Sequence, residues 1–67
     1  MKVFINDEEF FFDDDEIGLV KMLKKLEVNT SGLIAEIDGK VFNNSELDKG
    51  VVKDGSRVEL IKVFGGG

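Results

Sequence analysis

The chain closes on Phe64-Gly65-Gly66-Gly67, directly after an apolar run that reads as a strand. Three successive glycines carry no side chains. They leave the terminal carboxylate of Gly67 unhindered and reach backbone conformations that other residues avoid. Such a segment can straighten and enter a narrow channel. The chemistry open to it is therefore chemistry on the terminal carboxyl carbon, performed in another protein's active site. A carboxylate is a poor acyl donor and must first be activated, most simply as a mixed anhydride with AMP. A glycine carbonyl then offers an incoming nucleophile the least steric resistance. The competing reading of the same residues is a frayed end or a leftover linker.

Little else in the chain could do chemistry. There is no cysteine and no histidine, which removes disulfides, thiolate metal sites and the usual nucleophile–base pairs. An independent enzyme is not expected, nor is a bound metal or cofactor. Any sulfur carried would have to sit on Gly67 itself, as a thiocarboxylate. The acidic run Asp13-Asp14-Asp15-Glu16 lacks the alternating spacing and later glutamate of a calcium loop. It reads as a helix-capping cluster. The glycine run is not a phosphate loop, because no helix follows it.

Composition bounds the partners. The net charge is −5, and Arg57 is the only arginine. Nucleic acid and anionic membranes both require clustered Lys and Arg, so neither is expected. An acidic balance suits a protein partner with a basic docking surface. No apolar stretch approaches the roughly 18 residues of a membrane span. No basic-then-apolar leader opens the sequence, so the expected location is cytoplasmic. At 67 residues the chain is one small domain, burying only about 60% of its unfolded surface.

The elements that must position the tail follow from periodicity. Met1, Val3 and Ile5 alternate with Lys2 and Phe4, and Glu9–Phe12 is a second β-prone run after polar Asn6-Asp7-Glu8. The pair predicts an opening hairpin. Phe10, Phe11 and Phe12 cannot all face one way. Leu19, Met22, Leu23 and Leu26 form a helical stripe, with Asp14 or Asp15 as N-cap and the acids at the positive end of the dipole. Leu33–Ile37 alternates again, Asp38-Gly39 turns into Lys40-Val41-Phe42, and Asn44 or Ser45 caps a short helical turn. Arg57–Val63 is the last strand, after an Asp54-Gly55 turn. The order β-β-α-β-β-(short helical turn)-β predicts an α+β fold, a mixed sheet with the first and last strands adjacent in its centre. Residues 1–64 form the domain and 65–67 a flexible tail.

The strand alternation separates two faces. With the helix covering Val3, Ile5, Leu33, Ala35, Ile37, Val58 and Leu60, the other face carries Phe4, Ile34, Ile61 and Val63. Nothing in so short a chain remains to cover these four, and a contiguous apolar patch marks a protein partner. The partner would grip this face and draw the tail into its own active site. Glu36 and Glu59 share the face.

The residues Gly32–Phe42, then Ser45-Glu46, then Val52–Gly67 resemble the ThiS sulfur carriers of thiamine biosynthesis, as does the spacing of Leu19, Met22, Leu23, Leu26 and Val28. The most specific part is Asp54-Gly55 followed by Val58-Glu59-Leu60 and a strand running into a terminal diglycine. Asn43-Asn44 stands where many relatives carry Pro-Arg, and Leu47 where they carry an aromatic. The resemblance implies the ubiquitin-like β-grasp fold of the ThiS/MoaD family, a five-stranded sheet packed on one main helix. It implies ATP-dependent adenylation of Gly67 by a ThiF-like enzyme, conversion to a thiocarboxylate, and sulfur donation to a ThiG-like thiazole synthase. Gly66 and Gly67 match the reactive tail. Three other readings stay open: a MoaD-like carrier for molybdopterin or tRNA thiolation, a ubiquitin-like protein modifier, and an interaction domain with an inert tail.

Overall fold

Strands β1 (Lys2–Ile5) and β2 (Glu8–Phe11) pair antiparallel around Asn6-Asp7. A computed structural model of the chain describes residues 1–63. Asn6 and Asp7 have φ of 48° and 67°. This is the left-handed pair that a two-residue hairpin requires, and Asn and Asp tolerate it well. The expected hairpin is present, with β2 beginning at Glu8 rather than Glu9. Phe12 prolongs it: its N–H donates to the Met1 carbonyl at 3.0 Å, and the Met1 ammonium donates to the Phe12 carbonyl at 2.6 Å. Phe10 pairs across from Val3 on the core face, while Phe11, opposite Lys2, is left 73% exposed.

The helix corrects two expectations. It starts late, as α1 (Leu19–Lys25), with Gly18 at the N-cap, no side-chain cap and no acid in its first turn. Asp14 and Asp15 therefore do not cap it. The preceding residues form β3 (Glu16–Gly18), which pairs antiparallel with β6 (Val51–Lys53) in a small second sheet that the sequence pattern does not announce. Ile17 and Val52 face each other there, both buried. Burying two branched side chains is worth more than the roughly 1 kcal/mol of a cap. Asp14 instead meets Lys25 at 3.2 Å, beside the far end of the helix. The hydrogen bond from that ammonium holds the Asp14 carboxyl below the usual carboxylate range, against an opposing push from desolvation. Lys24 and Lys25 lie in the last turn, where the dipole favours them.

The remaining elements are β4 (Leu33–Ile37), β5 (Lys40–Phe42), a 3-10 helix (Asn44–Lys49), β6 and β7 (Arg57–Lys62). Asn43 occupies the 3-10 N-cap without a side-chain bond, so neither Asn44 nor Ser45 caps it. The Asn44 amide is used elsewhere, donating to the carbonyls of Thr30 at 2.6 Å and Leu33 at 3.0 Å. The main sheet has the order β2-β1-β7-β4-β5. β1 and β7 run parallel in its centre and the other pairs are antiparallel, the mixed five-stranded sheet expected. Leu19, Met22 and Leu23 are fully buried in the single hydrophobic core, with Val3, Leu33, Ala35 and Val58 of the sheet. Leu60, placed on this face, is only half-buried.

Candidate functional site

β7 organises the open face of the sheet. Alternation turns Val58 and Leu60 inward and Arg57, Glu59 and Ile61 outward. The antiparallel register then sets Ile34 directly opposite Ile61 and Glu36 directly opposite Glu59. Val41, 56% exposed, continues this face onto β5, opposite Glu36. On the other side β1 places Phe4 opposite Arg57.

Three bands result along β7. Nearest the chain end is an apolar band, where Ile61 is 50% and Val63 52% exposed. In the middle stand the two carboxylates of Glu36 and Glu59. At the start of β7 lies a cationic band, with the Arg57 guanidinium 4.5 Å from the centre of the Phe4 ring and the Lys2 ammonium 5.3 Å from it.

The four residues read from the sequence as one patch are thus divided. Ile34 and Ile61 are cross-strand partners, and Val63 lies two residues further along from Ile61. Phe4 sits apart, level with Arg57, four residues or about 13 Å back along the strand. Its ring is the seat of two cations. Glu36 and Glu59 share the face, as the alternation predicts. Their direct opposition required the register, which alternation alone does not supply. Phe64, Gly65, Gly66 and Gly67 lie outside the described residues.

The root of the tail is held by the loop before β4. The Val63 N–H donates to the Gly32 carbonyl at 2.9 Å, and the Lys62 ammonium donates to the Ser31 carbonyl at 3.0 Å. Sequence reasoning missed both contacts. Asn43-Asn44 did mark a departure from the pattern of the ThiS carriers that the sequence resembles, and Asn44 proves to brace this same loop. Among the described residues no cluster of three His, Cys, Asp or Glu is arranged to hold a metal ion.

A helix packed across one face of a mixed five-stranded sheet, with the first and last strands parallel at its centre, defines the ubiquitin-like β-grasp class. Neither a scan of protein-family models nor a search of curated proteins finds a match. Solved structures do match. The crystal structure of the thiamine biosynthesis protein ThiS from Geobacter metallireducens superposes with a TM-score of 0.85 and 28% identity, covering 100% of both chains. A solution structure of a thiamine biosynthesis protein from Geobacter metallireducens gives 0.72 and 28%, covering 100% of this chain and 88% of that one. The fold is the ThiS β-grasp, and the likeness supports a sulfur-carrier role in general.

Proposed function

We propose that this chain is a sulfur carrier for thiazole formation in thiamine biosynthesis, with Gly67 as the carrying residue. A ThiF-like enzyme adenylates it. An oxygen of the Gly67 carboxylate attacks the α-phosphorus of ATP, and pyrophosphate leaves. Hydrosulfide then attacks the acyl carbon, AMP departs with the C–O electron pair, the sulfur loses its proton, and a thiocarboxylate remains. A ThiG-like thiazole synthase consumes that sulfur. The chain is a co-substrate in these steps and not an enzyme, since it carries no cysteine or histidine to act as nucleophile or base. We place the reactions in the cytoplasm; no helix among the described residues is long and apolar enough to cross a membrane.

The observation that carries this reading is the match to ThiS along the whole length of both chains, in a chain that ends Gly65-Gly66-Gly67. The banded face supplies the docking surface. Ile34, Ile61 and Val63 give the apolar contact beside the tail, the carboxylates meet basic groups of the partner, and Phe4 contributes through the cations stacked on it.

The intact mass of the protein purified from its own cell tests the reading. Exchange of one oxygen for sulfur adds about 16 Da, and a variant lacking Gly67 should show no such species. High-mass adducts on lysines would assign the chain to protein modification instead. An unmodified mass, together with no adenylation by a ThiF-like enzyme and ATP, would overturn both.

A further inference from the structure

Gly32 has a φ of +67°, and a Cβ built on it would lie 2.9 Å from the carbonyl oxygen of Val63. Both facts exclude an ordinary side chain. The conformation is one that L-residues rarely adopt, and the near atom is backbone, which cannot swing aside as a side-chain tip can. The same residue accepts the Val63 N–H at 2.9 Å. One glycine thus anchors the N–H of the peptide leading into Val63 and leaves room for the carbonyl of the peptide leading out of it. A side chain at position 32 would push the Val63 carbonyl, rotate that peptide and redirect the chain beyond it.

The loop bearing Gly32 is itself braced. Asn44 donates to the carbonyls of Thr30 at 2.6 Å and Leu33 at 3.0 Å. The Leu33 N–H donates to Thr30 at 3.1 Å, the Ser31 N–H donates to the Asn29 carboxamide at 2.9 Å, and Lys62 reaches the Ser31 carbonyl at 3.0 Å. Every carbonyl from Thr30 to Leu33 is therefore engaged, the outer two by Asn44 and the inner two by the last residues of β7 and Val63. Two residues beyond Gly32, Ile34 stands on the apolar band. One short stretch of chain thus carries a docking contact and the support for the tail's root.

We infer that Gly32 is a positioning residue: it sets the direction in which the chain leaves β7, so that a partner docked on Ile34 and Ile61 finds the terminal carboxylate in line for attack. This rests on the adenylation reading above. A misplacement of about 1 Å at a reacting group can cost on the order of a hundredfold in rate, so the effect belongs in kcat. Docking, made by residues that do not move, keeps KM nearly constant.

The test compares four full-length proteins as substrates of the ThiF-like enzyme with ATP, read as pyrophosphate release. They are wild type, Gly32→Ala, Gly32→Asn and Gly39→Ala. Asparagine accepts a positive φ but still brings a Cβ toward Val63. Gly39, with φ of +89° and open space around its Cβ, lies in the turn at the far end of β4; its replacement reproduces the backbone strain away from the tail. We expect kcat to fall about tenfold or more in both Gly32 variants, with KM within about twofold of wild type, and Gly39→Ala to retain wild-type kcat. The Val63 amide should exchange with deuterium faster in the Gly32 variants only. Thermal denaturation establishes that each protein is folded at the assay temperature, and if Gly32→Ala is not, Gly32→Asn carries the comparison. Equal kcat in wild type and the folded Gly32 variants, or an equal loss in Gly39→Ala, would overturn the inference. A wild-type protein that is not adenylated at all would instead refute the functional reading beneath it.

Discussion

Along β7, Val58 is 1% exposed and Ile61, three residues on, is 50% exposed. Both are branched and apolar, and they belong to one strand of one sheet. The difference lies in what covers them. The inner face has α1 lying across it, so its apolar residues are accounted for by the free energy of folding, at about 25 cal/mol per Å² removed from water. Among the described residues nothing covers the outer face, so their folding does not account for the apolar residues there. The charges sharpen the contrast. Among the described residues the only buried polar side chain is that of Ser56, whose hydroxyl accepts the Lys53 N–H at 2.9 Å. The outer face sets Glu36 directly opposite Glu59, and like charges so placed weaken a sheet. Features that cover no core and oppose the fold point to a partner.

The largest expected effect is on the inner face. Leu23→Ala, at a fully buried site beneath α1, should lose about 2–5 kcal/mol of unfolding free energy. That is a large share of the 5–15 kcal/mol typical of a domain. Urea denaturation measures it. Partner affinity, read below the midpoint, should be unchanged. A loss under about 1 kcal/mol would mean that α1 is not what holds this face.

Ile61→Asp should show the reverse pattern. Its stability should stay within about 0.5 kcal/mol of wild type, as for exposed positions generally, while Kd for the adenylating enzyme rises about tenfold or more, as at a contact worth over 1 kcal/mol. Calorimetric titration beside a melting curve separates the two. A variant that unfolds but binds normally when folded would exchange the roles of the faces.

How far these faces were legible in the sequence depends on whether local pattern or distant pairing decides them. Strict alternation in Leu33–Ile37 and Arg57–Lys62 revealed which residues share a face, because side chains in a strand point to opposite sides in turn. It could not reveal the register, so Phe4 was grouped with Ile61 although the pairing sets it beside Arg57. The helix start was misread for the same reason. Asp14 and Asp15 fit a helix cap locally, and only the pairing of Ile17 with Val52, far along the chain, makes them otherwise. Gly32 stands in no local pattern that sets it apart. Its constraint comes from Val63, thirty-one residues later, and no local signal carries that.

The smallest expected effect uses the acidic pair to separate folding from recognition within the outer face itself. Glu59→Lys replaces a like-charge opposition by an attractive one, which should raise stability by about 0.2–1 kcal/mol. Glu36→Lys should do the same. Reversing both restores like charges, now positive, so the double variant should return to wild-type stability, and the cycle isolates the pair's coupling. Association with a basic partner surface should behave differently. Each reversal should slow it and the double reversal should slow it most, because steering depends on the sign of the field and not on the balance within the pair. The slowing should shrink as salt rises and the screening length falls below about 10 Å, with dissociation little changed. Asp48→Lys, an exposed site on the 3-10 helix, makes the same change in net charge away from this face and should slow association less than either single reversal. Stopped-flow binding across a salt series, set beside four denaturation curves, reads both quantities. Should Asp48→Lys slow association as much as Glu59→Lys, net charge alone steers the encounter and the pair has no special part in it. Should association ignore all of them, the acidic balance serves solubility, and the partner grips the apolar band without electrostatic guidance.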